Sequence, residues 1–416
     1  MLSFRDAREL VIQTLVARGS APEERPLAVL GEAEPQESVP LQRAMGRVLA
    51  ESLTSDRDYP PFDRATRDGF AVHAADLFQL PATLALIGEI RAGADFRGGV
   101  GPGQCVAIMT GAGLPPGADA VVMIEHTKPS ENVVLFDRAA LPNQNVVRRG
   151  SESKAGDQLL RPGMRLGYAE ISLAAQVGRT ELWVRRRPVV AILSTGDEVV
   201  AYDQQPGPRQ IRNSNSVSLT LQAELAGAEP RPLGNAPDRI EDLRAMIAHG
   251  LESDLLVLTG GVSMGKYDLV EGVLREMGAD FLFDAVAIRP GRPAVFAYCQ
   301  GRPVFGLPGN PVSTMVTFEL FVVPAIDLLG RTAPRPLPIF KARLAAPVSQ
   351  KAALTHFLPA EVTWASGEAM VQELPWQGSG DIAAMARANC FLVMPENRLE
   401  SAAGDWVDVI PRRDRF

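Results

Sequence analysis

Three continuous apolar runs between residues 187 and 330 constrain the fold more than any other feature of the sequence. They read PVVAILSTGDE, SDLLVLTGGVSMGK and RPVFGLPGNPVS, and each ends in a glycine-containing loop that precedes a helical stretch. Apolar strands that alternate with helices predict a mostly parallel sheet covered on both faces. Because ligands of such sheets bind at the carboxyl ends of the strands, we expect a site where the three loops lie.

The segments that flank this α/β region predict further domains. Helices are expected over residues 3–17, 41–53 and 169–177, and short β-rich runs fill residues 54–149 and the tail after residue 333. The sequence thus predicts a multi-domain protein of the α/β plus β class. Residues 1–53 and 150–186 are mixed helical and extended, residues 54–149 are β-rich, residues 187–331 are α/β, and residues 332–416 are again short strands.

Composition excludes several classes of protein. The net charge of −7 argues against a general nucleic-acid binder. There is no uncharged apolar run of about 18 residues, and the N-terminus is charged, so we expect a cytoplasmic protein without a membrane span. The three cysteines and four histidines lie far apart, which argues against a disulfide framework, a zinc site or a catalytic histidine. Each cysteine is expected to be a small buried side chain.

The loop TGGVSMGKYD resembles a phosphate-binding loop but departs from it at one position. Gly260 to Lys266 fits the pattern G-x-x-x-x-G-K, yet Tyr267 stands where Ser or Thr must hold Mg²⁺. A Walker-type nucleotide hydrolase is therefore disfavoured. The remaining features predict a glycine-rich anion cradle closed by Asp268, a carboxylate able to reach a metal ion or an attacking water.

The other loops each allow a simple and a functional interpretation. STGDE, residues 194–198, is either a solvated helix start or a pair of carboxylates at a site, and residues 306–311 are either a stiff connector or an anion-binding turn. Arg289 and Arg292 in IRPGRP are either surface cations or oxyanion ligands. Together, three anion-suited loops, two arginines and several carboxylates favour a site for phosphate and a metal ion.

Six motifs occur in order along nearly the whole chain: PPFDRATRDGFAV, IMTGAGLPPGADAVV, ILSTGDEV, TGGVSMGKYD, AIRPGRP and GLPGNPVS. The sequence resembles the molybdopterin molybdotransferase family, which is called MoeA in bacteria and is represented in animals by the C-terminal part of gephyrin. The resemblance implies an L-shaped homodimer of four-domain subunits. The domains are an elongated dimerisation domain of residues 1–53 with 150–186, an inserted β-rich domain of residues 54–149, an α/β molybdopterin-binding domain of residues 187–331, and a C-terminal β-barrel-like domain of residues 332–416. The resemblance also implies hydrolysis of adenylated molybdopterin to AMP while molybdate enters the dithiolene, with Mg²⁺ as the divalent metal.

The resemblance assigns roles to residues that match the family's motifs. Catalytic roles are implied for Asp68, Thr110, Glu198 and Asp268, the last two also as metal ligands. Substrate-binding roles are implied for Gly196, Gly260, Gly261, Ser263, Arg289, Arg292, Pro308, Gly309, Asn310 and Pro311. Glu152 and Asp238 match acidic positions of less certain role. Three departures stand out: Arg289 and Arg292 replace frequent lysines, and Arg67 replaces a small apolar residue or Met.

Alternative functions stay open at this point. The preceding reaction, adenylylation of molybdopterin by ATP, belongs to a single-domain fold that corresponds roughly to residues 187–330, and such an enzyme would not need the flanking segments. A gephyrin-like scaffold is disfavoured because the chain begins close to the enzyme-like region and has no long linker. Tungstate could replace molybdate, since both oxyanions are tetrahedral and doubly charged. The adenylyltransferase is an expected partner.

Overall fold

A computed structural model describes residues 1–19, 35–94, 96–261, 269–351, 353–365 and 367–415. Its α-helices are α1 Phe4–Ala17, α2 Tyr168–Gln176, α3 Ser214–Ala226, α4 Ile240–Gly250, α5 Leu269–Glu276, α6 Pro311–Thr317, α7 Val323–Leu329 and α8 Ile382–Arg387. Short 3-10 helices span Leu41–Arg43, Ala74–Leu77 and Ile124–His126. A π-helical turn, Phe318–Val322, joins α6 to α7 into one continuous helix.

The first half of the chain is built from short strands. They are β1 Gln36–Pro40, β2 Leu53–Thr54, β3 Arg64–Ala65, β4 Gly69–Val72, β5 Ala82–Ile90, β6 Gln104–Ile108, β7 Ala120–Met123, β8 Thr127–Ser130, β9 Val133–Phe136, β10 Val146–Val147, β11 Gln158–Leu160 and β12 Glu181–Arg185. Six of them form one sheet in the order β7-β4-β6-β5-β9-β8. Strands β1 and β12 pair outside this sheet, which brings residues on both sides of the β-rich segment together.

The middle of the chain forms the predicted α/β sheet. Its strands are β13 Val189–Thr195, β14 Val199–Val200, β15 Ile211–Arg212, β16 Glu229–Ala236, β17 Leu255–Thr259, β18 Asp280–Phe283, β19 Ile288–Arg289, β20 Val295–Cys299 and β21 Arg302–Leu307. The sheet has the order β16-β13-β17-β21-β20-β18. The neighbours β16, β13, β17 and β21 pair in parallel, whereas β20 pairs antiparallel with both β21 and β18. The prediction of a mostly parallel sheet is therefore confirmed.

The C-terminal strands close into a barrel, as the sequence predicts. They are β22 Phe340–Leu344, β23 Val348–Ser349, β24 Thr355–Ala365, β25 Glu368–Glu373, β26 Cys390–Met394, β27 Glu400–Ser401 and β28 Trp406–Pro411. Five strands follow the order β24-β25-β22-β28-β26, and β26 pairs again with β24. Strand β19 hydrogen-bonds to the edge of β24, which ties the α/β domain to the barrel.

The continuous helix of residues 311–329 is apolar because it lies in the core. By length and composition it is able to cross a membrane, with a mean hydropathy of 1.7, but 89% of it is buried inside the protein. It lies in the largest apolar cluster together with Phe296 and Phe305, and its Phe321 ring contacts Phe283. Burial on all sides requires an apolar surface all round, which accounts for its composition.

Two predicted helices have different outcomes in the structure. The helix predicted over residues 3–17 is confirmed as α1, and the Ser3 hydroxyl caps it by accepting a hydrogen bond from the Asp6 N–H at 3.2 Å. The helix predicted over residues 41–53 is wrong: only a short 3-10 turn forms, followed by Gly46 at φ +72° and strand β2. Within the described residues, α1 packs on the α/β core rather than beside β1, while the domain boundaries themselves stay a prediction.

A buried carboxylate links separate parts of the chain. Asp327 of α7 is fully buried and accepts hydrogen bonds from Arg165 at 2.9 Å and from Arg335 at 2.7 Å. Arg165 precedes α2, and Arg335 precedes the barrel. A buried charge is costly unless it is paired, so this cluster fixes how the segments before and after the α/β domain meet α7.

Candidate functional site

Three loops meet at the carboxyl edge of the parallel sheet. Strands β13, β17 and β21 are neighbours, with Ser194 paired to Thr259 and Thr259 paired to Leu307. The ends of the three strands are therefore level. The STGDE loop (residues 194–198), the TGG loop (residues 259–261) and the LPGNP loop (residues 307–311) leave the sheet side by side. The sequence-based prediction that these loops share one edge is confirmed.

Two glycines permit this close approach. Gly260 has φ +88°, and a Cβ there would lie 2.7 Å from the Thr195 carbonyl oxygen. Gly196 has φ +122°, and a Cβ there would lie 2.5 Å from a carboxylate oxygen of Glu198. Any side chain at either position would collide with the neighbouring loop or displace this carboxylate, and the left-handed backbone adds strain. The glycines thus let Thr195 and Glu198 lie against the backbone of the loops.

Only some of the acidic residues predicted at this edge lie within the described residues. Glu198 is exposed at the end of the STGDE loop. Asp238 is brought to the same loop, because its N–H donates to the carboxylate of Asp197 at 3.1 Å. Asp268 and Ser263 lie outside the described residues. Among the residues that are described, no group of three or more His, Cys, Asp or Glu is placed to hold a metal ion, so the metal site stays a prediction.

A cleft of about 970 Å³ opens beside the LPGNP loop. One wall is the turn Ile288–Pro293 with Pro308 and Asn310, and the other comes from the barrel domain with Leu354 and residues 376–380. Arg289 and Arg292 are exposed here, and neither guanidinium group makes a hydrogen bond or ion pair with any described residue. Two unpaired guanidinium groups in one cleft suit an oxyanion ligand.

The barrel domain holds the LPGNP loop directly. The Asn310 amide donates to the Ser379 hydroxyl at 2.9 Å, and the Val312 N–H donates to the Ser379 carbonyl at 3.0 Å. His356 lies opposite Arg289 in the pairing of β24 with β19. Burial, and then the charge of Arg289, lower the pKa of the His356 imidazole below its usual value. At neutral pH a neutral, buried imidazole therefore lies next to the strand that carries Arg289.

A second group of site residues lies in the β-rich domain. Asp68 accepts hydrogen bonds from both the N–H and the hydroxyl of Thr110, each at 2.7 Å. These two bonds hold the pKa of the exposed Asp68 carboxyl below its usual range, so it is ionised at neutral pH. Glu152 pairs with Arg64 at 2.8 Å, and Arg67 is exposed. Among the described residues of one chain, no hydrogen bond or ion pair connects this group to the loops of the α/β domain.

Comparison with known proteins follows the same division of the chain. Three family models match: the MoeA N-terminal region (domain I and II) over residues 2–178, a probable molybdopterin binding domain over residues 191–328, and the MoeA C-terminal region (domain IV) over residues 341–412. The molybdopterin molybdenumtransferase of Bacillus subtilis (strain 168) is 36% identical over 389 residues, which span 91% of this chain and 90% of that protein. The chain belongs to the molybdopterin molybdenumtransferase family.

Other members of this family give the same result. The molybdopterin molybdenumtransferase of Staphylococcus aureus (strain Mu50) is 33% identical over 382 residues, 90% of this chain and 91% of that one. A crystal structure of the molybdopterin biosynthesis MoeA protein from Pyrococcus horikoshii OT3 superposes with a TM-score of 0.77 at 27% identity, covering 99% of this chain and 100% of that chain. The resemblance stated from the six motifs is confirmed.

Several residues of the candidate site were not predicted from the sequence. Asn215 donates to Gly309 of the LPGNP loop, and Ser379 and Trp376 reach the cleft from the barrel domain. The run RNSNS, residues 212–216, marks the start of α3 and signals a helix cap. Asn213 provides this cap by accepting a hydrogen bond from the Ser216 N–H at 3.0 Å, but nothing in the run indicates the hydrogen-bond partners of Asn215. The three cysteines are buried, as predicted.

Proposed function

We propose that this protein inserts molybdate into adenylated molybdopterin and releases AMP, which yields the molybdenum cofactor. Membership of the molybdenumtransferase family supports the reaction class. The observation that carries the proposal is the meeting of three glycine-containing loops beside a cleft with two unpaired arginines. Such a site offers backbone donors for phosphates and guanidinium groups for a second oxyanion.

The residues divide by chemistry. Gly196, Gly260, Gly261 and the LPGNP loop would hold the nucleotide end of the substrate, since these loops bring backbone close to a ligand. Arg289 and Arg292 would bind molybdate or a phosphate in the cleft. Thr110 holds the Asp68 carboxylate in place with two hydrogen bonds, and an ionised carboxylate so fixed can orient a water. No histidine-activated nucleophile is required, because anhydride cleavage depends mainly on positioning and charge stabilisation.

The residues present fit Mg²⁺ at the STGDE loop. Glu198 offers an exposed carboxylate at the edge of the sheet, and oxygen ligands are those that Mg²⁺ prefers. Glu198 would hold the ion together with Asp268. Bound there, Mg²⁺ would neutralise charge on the phosphates.

We further propose that the working unit is a homodimer with composite sites. The Asp68–Thr110 pair and the α/β loops lie in different domains of the chain, without hydrogen bonds or ion pairs between them in its described part. A two-fold dimer would let the β-rich domain of one subunit complete the α/β site of the other. The substrate would come from a molybdopterin adenylyltransferase, and we place both enzymes in the cytoplasm.

The test is AMP release from adenylated molybdopterin, measured with and without molybdate and Mg²⁺. The proposal requires release that depends on both. Release of AMP that is indifferent to molybdate would indicate a simple hydrolase. Conversion of ATP and molybdopterin into the adenylated compound would instead assign the preceding reaction to this protein.

A further inference from the structure

The LPGNP loop lacks the backbone donors that normally fix a turn. Pro308 and Pro311 have no N–H, and Gly309 and Asn310 between them are exposed. The Leu307 carbonyl accepts the Gly260 N–H at 3.3 Å, and the Asn310 carbonyl accepts the Thr314 N–H at 3.0 Å. The two carbonyls between them, those of Pro308 and Gly309, are bound by side chains. Thr314 and Thr259 donate to the Pro308 carbonyl, the latter at 3.2 Å, and Asn215 donates to the Gly309 carbonyl at 2.8 Å.

Asn215 makes a second bond that reaches the neighbouring loop. Its side-chain N–H₂ also donates to the Thr259 hydroxyl at 3.0 Å. Thr259 is the last residue of β17, is 2% exposed, and immediately precedes Gly260. One amide therefore connects the start of α3, the end of β17 and the LPGNP loop, across sequence separations of 44 and 94 residues.

The chemistry of this position is specific to a side-chain amide. Both hydrogen bonds use N–H donors, and the two acceptors are a hydroxyl and a backbone carbonyl. An aspartate of the same shape has no such donors and would face the Gly309 carbonyl with a negative charge. Alanine would leave that carbonyl without its donor. Either change would release the link while leaving the helix able to form.

We propose that Asn215 is a positioning residue that holds the LPGNP loop against the TGG loop in the geometry that binds the nucleotide end of the substrate. The inference rests on the proposed function for the identity of the ligand. Gly309 packs closely on Gly260, where a Cβ on Gly309 would lie 3.5 Å from the Gly260 Cα. The two loops are also joined by the Gly260 N–H, which donates to the Leu307 carbonyl, and by the Thr259 hydroxyl, which donates to the Pro308 carbonyl. Loss of the Asn215 amide would therefore loosen the loop pair at Gly309 rather than separate it.

Gln222 supplies a matched control. It lies on the same helix two turns later, and its amide also donates to a backbone carbonyl of the segment after the loop, Met315 O, at 3.2 Å. Gln222→Ala thus removes an amide-to-carbonyl bond between α3 and α6 without touching the loop. If Asn215 were merely structural, the two alanine variants would behave alike.

The experiment compares Asn215→Ala, Asn215→Asp and Gln222→Ala with the wild-type protein, with AMP as the calorimetric probe. We expect the Kd for AMP to rise about tenfold in both Asn215 variants and to change less than about twofold in Gln222→Ala, with similar melting temperatures for the two alanine variants. In steady-state AMP release, the Asn215 variants should raise the KM for adenylated molybdopterin by a larger factor than that by which they lower kcat. Wild-type affinity in Asn215→Asp, or equal effects of the two alanine variants, would overturn the assignment.

Hydrogen exchange separates this inference from the proposed function. The amides of Gly260 and Thr314 donate to the Leu307 and Asn310 carbonyls of the loop. Both should exchange faster in Asn215→Ala than in Gln222→Ala, whatever reaction the protein catalyses. If the wild-type protein neither binds nor releases AMP, the proposed function fails, yet the exchange rates still test the link. Unchanged exchange in Asn215→Ala would show that the amide does not hold the loops.

Discussion

At the scale of single residues, the candidate site depends on which charged groups have partners. Arg165 and Arg335 are paired with the buried Asp327, whereas Arg289 and Arg292 in the cleft have no partner among the described residues. An unpaired cation in a cleft is available to a ligand, while a paired one serves the fold. The sequence shows arginines at all four positions and cannot separate the two classes, because pairing depends on contacts between distant segments.

We predict that Arg289→Ala and Arg292→Ala each raise the KM for molybdate by about tenfold, because a charge-assisted hydrogen bond to the oxyanion is lost. Steady-state AMP release at varied molybdate measures this. Arg5→Ala, which removes an exposed charge from α1, is the control and should leave KM unchanged. Equal KM values for all three variants would place the oxyanion elsewhere.

His356 should make stability depend on pH. Burial and Arg289 lower its pKa in the folded state, so the unfolded chain takes up a proton first as the pH falls below about 6.5. The free energy of unfolding is therefore unaffected by this histidine above that pH, and it decreases as the pH falls below it. The melting temperature of the wild-type protein should fall between pH 7.5 and pH 5.5 by more than that of His356→Gln. Parallel curves for the two proteins would contradict the shift.

At the scale of elements, the sequence predicts best where one pattern decides the outcome. Strands β13, β17 and β21 are buried on both faces, so continuous apolar runs indicate them and their order along the chain predicts neighbouring loops. Residues 41–53 have a helical pattern too, but Gly46 turns the chain and the segment pairs with distant backbone instead, as in the bridge from Leu49 to Val184. Local periodicity cannot include such partners.

The stiffness of the LPGNP loop leads to a prediction for its prolines. Pro311 begins α6, a position where its fixed φ favours the helix, and Pro308 lines the cleft. Pro308→Ala and Pro311→Ala should each raise the KM for adenylated molybdopterin several-fold. The melting temperature should fall only slightly, because losing a proline's restriction of the unfolded chain lowers the free energy of unfolding by about 0.4–1 kcal/mol. Pro347→Ala, at an exposed position of the barrel domain, is the control. A large fall in melting temperature with normal KM would make the loop a simple connector.

At the scale of the whole molecule, the cleft is made by two domains and therefore has no local sequence signal. Its arginines come from the end of β19 and from the turn after it, and its opposite wall comes from residues 376–380 of the barrel domain. The arginine side is visible in the motif IRPGRP. The barrel side becomes visible only when β24 pairs with β19 and Ser379 reaches the LPGNP loop.

The composite-site proposal predicts complementation between inactive variants. Asp68→Asn and Glu198→Gln should each abolish most AMP release alone. After subunit exchange a mixed dimer carries both lesions in one site and leaves the other whole. With random mixing, half the dimers are mixed and half their sites are intact, so about a quarter of wild-type activity should return. A mixture that stays inactive after exchange is verified by mass would place both residues in a site within one chain.

The most direct test of the account is the stoichiometry of a single turnover. Wild-type protein loaded with adenylated molybdopterin is mixed with molybdate and Mg²⁺, and released AMP and pterin-bound molybdenum are quantified in the same sample. Because cleavage of the adenylate and insertion are coupled in the proposed reaction, one molybdenum should be bound for each AMP released. AMP release without bound molybdenum, or molybdenum bound while the adenylate stays intact, would contradict it.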